Sequence, residues 1–600
     1  MPENAVTARA GRAVLAGAEA LFGARREDGV VTPPGDRFSP ANTAAALIAL
    51  HTSREPATDA SGPAVDPATA DRVVATDRAT AVRDRAVARL LAAQRPDGGW
   101  AMDGVPTETL TTAVVASALA LTAPGSTGTA VAKALALVRR RGGPGSLPEP
   151  AMTGLARQFA ALAGQDGASA PPRLPLGVLL VPGVARRALS LRLPIFAALA
   201  LGQPARRRTP VGRLLDTLGR QRALDIVREV FARERGTGSF SSDPWLTSLI
   251  TLGISRSGLA PDIVVASRDW LVRGALPDGG WALMPLDLTW SSFATAALLE
   301  AGYARDPRLD PVAEMFRRRQ QDTPFPALGT PAGFWGFSTD RSWPMALETA
   351  EISSLLRRLP GGADDRHAAR GLAWLTAMQD RPGSWSLAVR DSRPGGFGPC
   401  PQMTAKAVTA LLDCGAGPRD PRVLRGLRSV ARAMRADGGV EAMWYRGLTP
   451  GTAAALVAFA RAGRARAEPA VRARAFLLAT QRPDGSWHTG GHDPAAGADA
   501  GRDESGAVPA GTVEETAWSL HALLVAGTAP DSAPVRSAAA WLLDRQESDG
   551  TWPGAAVNEY IRHCYRYPDR VLATALALKA LGRLRTATGD VPRVREETRR

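Results

Sequence analysis

Four stretches of the chain share one spelling: a glutamine, four residues ending in glycine, one small residue, then tryptophan, each directly after an apolar helical run. They are Gln94–Trp100 (QRPDGGW), Gln379–Trp385 (QDRPGSW), Gln481–Trp487 (QRPDGSW) and Gln546–Trp552 (QESDGTW). Two worn copies end at Trp281 (LPDGGW, with Ala275 in the glutamine position) and at Val440 (MRADGGV). A unit that recurs in this way cannot bury its apolar face alone, so the copies must pack on one another.

Each copy leads into a second helical pattern of the form T-A-x-x-x-A-L. Thr112, Thr349, Thr404, Thr452, Thr516 and Thr574 begin these, with Thr43 near the start. The Asp-Gly pairs supply turn chemistry that stops the first helix, and the Ala/Leu recurrence at three to four residues marks helices rather than strands. The unit is a helical hairpin. Positions 385, 440, 487 and 552 lie 55, 47 and 65 residues apart, room for two helices and their loops. An array of such hairpins that closes on itself is an α-barrel, and 600 residues exceed one ordinary core, so two domains are expected.

Charge and cysteine usage narrow the function. Net charge is +15, yet only Lys133, Lys406 and Lys579 among the 73 basic residues are lysines, a bias of composition rather than a nucleic-acid footprint. The arginine runs 139–141, 206–208 and 317–319 sit at helix ends; nucleic acid is not expected as a partner, and an anionic membrane surface is the better alternative. Cys400, Cys414 and Cys564 are too scattered for a disulfide framework or a zinc cluster, which fits a reducing cytosol. Residues 1–20 are polar and mixed, without a signal-peptide pattern. The most apolar region, Leu174–Gly202, holds Arg186, Arg187, Arg192 and three prolines, so it cannot span a bilayer as a clean helix; it either dips into one leaflet or forms core. Pro56–Asp77, Gly164–Pro172 and Thr489–Thr512 read as loops, and residues 588–600 as a disordered tail.

The Gln/Trp spelling resembles the QW motif of the squalene-hopene and oxidosqualene cyclases, the class II triterpene cyclases. PLDLTWSSFATAALLEAG (285–302), GFWGFSTDRSWPMALETAE (333–351), LPLGVLLVP (174–182) and VNEYIRHCYRYPDRVLATALAL (557–578) are similar to further segments of that family. The resemblance implies an all-α fold of two (α/α) barrels, the βγ-type toroid of terpene cyclases. Residues 1–37 would give an N-terminal helix belonging to the C-terminal barrel, 38–285 an inserted second barrel with the membrane-docking segment, and 286–587 the main barrel, with an apolar cavity between the two. The QW elements would be structural, Gln satisfying helix-end groups and Trp burying apolar area.

Class II cyclisation starts when a carboxylic acid protonates an alkene or epoxide, and aromatic faces stabilise the cations that follow. In the stretch that matches the family's acid motif the donor position is Leu347, which has no proton to give. The resemblance therefore moves the acid search to Glu348 one residue on, with Glu351 in a supporting position and Asp287 as a further candidate. Lys406 falls where squalene-hopene cyclases place a histidine that assists the acid. A Glu348–Lys406 pair would favour the ionised carboxylate and suit an anionic or oxygenated head group instead of proton donation. Trp290, Phe337, Trp343, Trp444, Trp518, Tyr560 and Tyr567 fall in segments that line the family's cavity. No cofactor and no metal are expected: Asp364-Asp365-Arg366-His367 lacks the last acid of a magnesium motif, and His563-Cys564 has no evident third zinc ligand. The chain is expected to cyclise a linear isoprenoid or meroterpenoid, cytoplasmic and peripherally bound to a membrane, with a homodimer among its assemblies. The alternatives are an altered descendant that only binds an isoprenoid lipid and, less favoured, a zinc prenyltransferase-like subunit.

Overall fold

A computed structural model describes residues 3–33, 37–53, 67–165, 173–203, 209–338, 341–393, 397–488 and 510–589. Helices dominate. In chain order they are α1 (Glu3–Gly23), α2 (Pro40–Thr52), α3 (Pro67–Ala92), α4 (Thr109–Thr122), α5 (Pro124–Arg140), α6 (Pro150–Leu162), α7 (Pro182–Leu189), α8 (Leu193–Leu201), α9 (Pro210–Arg233), α10 (Pro244–Ser257) and α11 (Pro261–Arg273). The second half continues with α12 (Asp287–Glu300), α13 (Asp310–Arg318), α14 (Ala346–Arg358), α15 (Arg366–Met378), α16 (Pro401–Asp413), α17 (Pro421–Ala433), α18 (Thr449–Arg461), α19 (Glu468–Ala479), α20 (Val513–Val525), α21 (Ala533–Leu543) and α22 (Arg570–Ala587). Proline at the first turn starts many of them, and Ser39, Asp243, Asp365, Asp420, Thr512 and Asp569 cap first-turn N–H groups with their side chains.

The helices form two packed groups. α12, α14, α16, α18, α20 and α22 each pack on the next, and α22 returns to α12, closing an inner ring; α13, α15, α17, α19, α21 and α1 lie outside it. In the other group α6, α4, α2, α10 and α8 pack in that order as an arc, backed by α5, α3, α11 and α9. The chain enters and leaves this second group at one place, where Ser39 N–H donates to Trp281 O and Leu283 N–H to Arg37 O. The strands among the described residues are a short antiparallel ribbon, β1 (Asn558–Ile561) and β2 (Tyr565–Tyr567).

The repeated turns fix the spacing between inner and outer rings. Gln94, Gln379, Gln481 and Gln546 each donate through Nε2 to the glycine carbonyl of their own turn and to a carbonyl of the next outer helix: Ala130, Arg422, Pro534 and Ala13. The indole N–H of Trp100, Trp281, Trp385, Trp487 and Trp552 reaches a leucine carbonyl ten residues earlier at 2.7–2.8 Å. The backbone N–H at the tryptophan site donates to the threonine hydroxyl of the following T-A pattern, as with Trp385 to Thr404 at 3.0 Å and Trp552 to Thr574 at 3.0 Å. Trp281 uses Thr43 instead, which ties the end of the second group back to its first inner helix. Gly383 shows why glycine holds the turn: its φ is +103° and a Cβ there would lie 2.6 Å from Arg425 O.

One copy escaped the sequence pattern. Gln320 donates to Gly333 O and His367 O, and Trp335 donates to Phe316 O at 2.7 Å and Thr349 Oγ1 at 3.0 Å. An insertion between Gln320 and Gly333 breaks the spelling without breaking the geometry. Two other expectations need amendment. α3 starts at Pro67, so the stretch read as a loop to Asp77 is helical over its last part, as proline at the first turn permits. Within Leu174–Gly202, α8 is largely core, while Val181 just before α7 and Val184 in its first turn are exposed; Val211, Leu214, Leu215 and Leu218 on α9 are exposed as well. α9 packs alongside the 3-10 turn Leu176–Leu180, which brings these two sets together. Among the described residues no helix is long and apolar enough to cross a membrane. Of the stretches read as loops and tail, residues 56–66, 166–172, 489–509 and 590–600 lie outside the described residues.

Candidate active site

The first turn of α14 is pinned by the unspelled repeat copy. Met345 N–H donates to Trp335 O at 3.1 Å, and Thr349 Oγ1 accepts from Trp335 N–H while donating to Met345 O. With Thr349 held on that side, its neighbour Glu348 is turned about 100° around the helix and is buried. Its Oε1 accepts a hydrogen bond from Thr289 on α12 at 2.8 Å, and its Oε2 has no hydrogen-bond partner among the described residues. Burial pushes the carboxyl up from its ordinary 4.5 to about 7; the Thr289 bond opposes this, and the nearby Glu351 charge adds to it. Leu347 is buried beside it.

Lys406 does not pair with Glu348. Its Nζ lies 2.6 Å from Glu351 Oε1, across from α16 to α14. Burial works to raise the Glu351 carboxyl, but Lys406 and Lys579 hold it below its usual range. Glu351 therefore takes up the cation that would otherwise draw Glu348 into its ionised form. Asp287 is committed elsewhere, ion-paired with Arg319 at 3.2 Å in the first turn of α12.

The aromatic residues divide in two. Trp290 donates to Asp569 at 2.6 Å, Trp343 to Glu234 at 3.0 Å and Tyr560 to Asp243 at 2.6 Å, so these rings anchor buried carboxylates. The Arg37 guanidinium lies 4.9 Å from the ring centres of both Trp290 and Tyr567, so one face of each already carries a cation. Trp444 stacks obliquely on Phe397 and Trp518 edge-on to Tyr445; both tryptophans are half-buried and keep open surface, while Phe337 is buried. Tyr445 and Tyr567 stand near Glu348, and burial pushes both phenols up.

Two cavities stand out among the described residues, and Glu348 lines neither of them. One, of about 220 Å³, lies between the helix groups and is polar, with Glu108, Arg141, Arg446, Glu559, His563 and Arg566 on its walls. The other, of about 80 Å³, runs inside the closed ring and is lined by Glu351, Lys406, Trp518, His521 and Lys579 among others. Thr289, Tyr445, His521 and Lys579 were not singled out from the sequence. For Lys579 the signal existed, since it is one of three lysines in the chain. For Thr289 and Tyr445 nothing local marks the role.

Comparison with known proteins follows the same lines. The squalene-hopene cyclase C-terminal domain family matches residues 397–565. A drimenyl diphosphate synthase of Streptomyces showdoensis is 28% identical over 293 residues, 46% of this chain and 48% of that protein. A squalene-hopene cyclase of Alicyclobacillus acidocaldarius is 28% identical over 360 residues, 55% of each chain. The chain thus spans about half the length of these curated relatives. The ent-copalyl diphosphate synthase of Streptomyces platensis superposes with a TM-score of 0.54 over 96% of this chain and 99% of that one, at 19% identity, which bears on fold alone. The fold is the α/α-barrel fold of these cyclases, and residues 397–565 are similar to the squalene-hopene cyclase C-terminal domain.

Proposed function

We propose that this protein cyclises a linear isoprenoid by proton transfer from Glu348, with Trp444, Trp518 and Phe337 supplying aromatic surface for the developing cations. The observation that carries this reading is the state of Glu348: buried, pushed up to about 7, free of any cation because Lys406 is held by Glu351, and with one carboxyl oxygen uncommitted. Such a group keeps a large protonated fraction up to neutral pH, as an initiator of cation chemistry requires. The name of the Streptomyces showdoensis relative makes isoprenoid diphosphates the first substrates to try, and Arg141, Arg446 and Arg566 make the cavity between the helix groups the natural place for an anionic head. Docking on a membrane surface would use the apolar side chains of α9 and the turn at Val181–Val184.

The test is incubation of the purified protein with farnesyl diphosphate, geranylgeranyl diphosphate and squalene, followed by product analysis. A cyclic product formed by the wild type and lost in Glu348→Gln supports the assignment. Full activity in Glu348→Gln refutes it. A second reading, an isoprenoid-binding descendant without turnover, is favoured by Leu347 at the position where the family resemblance puts the proton donor; saturable binding of these lipids with no product would establish it.

A further inference from the structure

The closed ring holds charge that catalysis at Glu348 does not use. Lys579, on α22, lines the inner cavity and makes no hydrogen bond or ion pair with any described residue. Lys406 shares the same cavity, its own charge met by Glu351. The strongest charge effects on His521, which also lines it, come from cations: Lys579, Lys406, Arg583 and Arg358. Two further carboxylates are already engaged, Glu300 by Arg358 at 3.5 Å and Asp413, on the cavity wall, by Arg461. Glu351 and Glu300 answer the Lys579 charge only at longer range, each already shared with another cation, and burial still pushes the amine down to about 8, so a further negative group joining it would relieve that cost.

Neutralisation of helix ends does not account for these lysines. The inner helices do turn their carbonyl ends toward one mouth of the ring, and cations offset such ends, but the effect fades within the last turn. Lys579 and Lys406 stand well inside α22 (Arg570–Ala587) and α16 (Pro401–Asp413), two turns from those ends. Arg358, in the last turn of α14, serves the mouth instead.

We propose that the inner cavity is a binding site for a small tetrahedral oxyanion, a phosphate or the terminal phosphate of a larger molecule, held by the ammonium of Lys579 and the imidazole N–H of His521, with Lys406 close by. About 80 Å³ is several times the roughly 10–15 Å³ that one water needs by the same measure, so an ion with a partial shell of water fits. The site stands whether or not Glu348 is the acid, since it shares no residue with the Thr289–Glu348 pair.

The experiment is calorimetric titration of the full chain with inorganic phosphate, inorganic diphosphate and farnesyl diphosphate. Binding of the inorganic ions at one site per chain is expected, weakened tenfold or more in Lys579→Met and unchanged in Lys133→Met. If farnesyl diphosphate weakens in the same proportion, the oxyanion is a lipid head group; if only the inorganic ions weaken, it is a free ion. Amine acylation of the wild type followed by mass spectrometry gives a second readout that needs no variant. With three lysines in the chain, phosphate should protect Lys579 and leave Lys133 unprotected. No phosphate binding by the wild type, undiminished binding by Lys579→Met, or equal acylation of Lys579 with and without phosphate overturns the proposal.

Discussion

Lys406 and Glu351 form an ion pair at 2.6 Å, one helical turn deeper in the ring than Glu348. The pairing decides which carboxylate is ionised and which is an acid. Glu351 and Glu348 are three residues apart on α14 and so lie on neighbouring parts of one face; the one that meets the lysine is held ionised, and its charge helps keep the other protonated.

If Glu348 is the proton donor, turnover needs its neutral form. With the carboxyl pushed up to about 7, kcat should be level at lower pH and fall about tenfold per pH unit above 7. The pH–rate profile checks this, and a profile that rises through pH 7 contradicts it. Leu347→Asp restores an acid at the position the resemblance gives to the donor, and should raise cyclisation of any substrate the wild type accepts.

Removing Lys406 leaves Glu351 charged among buried groups. Lys406→Ala should cost about 3 kcal/mol of stability, and adding Glu351→Gln should return most of it, because both members of the pair are then gone. Urea unfolding of the two single variants and the double variant measures the coupling.

Several buried acids share the upward shift: Asp243 to about 6, Glu108 and Glu348 to about 7, Glu234 and Glu514 to about 8, each mainly through burial. A raised carboxyl binds its proton more tightly in the folded chain. Its contribution to stability is therefore complete below the ordinary value near 4 and is lost as pH rises through the folded value. His521 and His367, both shifted down by burial, oppose this. Thermal stability should fall between pH 5 and pH 8, and Glu514→Gln should flatten that slope by up to about 1.4 kcal/mol per pH unit. Calorimetry across the range checks both.

Thr574→Ala removes the acceptor for the buried Trp552 N–H and should cost about 1–3 kcal/mol, whereas Thr574→Ser, which keeps the hydroxyl, should cost less. Chemical denaturation of the two variants separates the hydrogen bond from the lost methyl group.

Replacing Leu214, Leu215 and Leu218 on α9 with serine should leave stability within about 0.5 kcal/mol, because all three are exposed, while abolishing flotation with anionic vesicles. Unchanged flotation would rule out this face for docking.

The fold was legible because its determinants are local. A glutamine, a glycine and a tryptophan within seven residues carry the turn, and each threonine a short way on receives the tryptophan N–H. Gln320 and Trp335 show the limit of that reading: the contact survives an insertion that hides it from any fixed spacing. The site was less legible because its pairings are distant. The sequence leaves open a pair between Glu348 and Lys406; the lysine meets Glu351 instead, which depends on how α16 faces α14 and which neither helix specifies alone. Trp290, Trp343 and Tyr560 look like cavity rings in sequence, and only their partners Asp569, Glu234 and Asp243, up to 317 residues away, reveal the anchoring bonds.

The closure of the inner ring by α22 with α1 at its back sets the order in which the molecule can assemble. Gln546 bonds the carbonyl of Ala13, 533 residues earlier in the chain, and Arg9 reaches Asp544. On a ribosome α1 emerges before the other helices of its ring and finds its seat last. The second helix group, whose own ends meet at Ser39 and Trp281, is able to settle in the meantime, whereas the larger ring stays open with an apolar edge on display until α21 and α22 arrive. Synthesis rather than refolding is therefore the interval in which this protein is most exposed to aggregation, and a holdase that shields that edge would act during elongation.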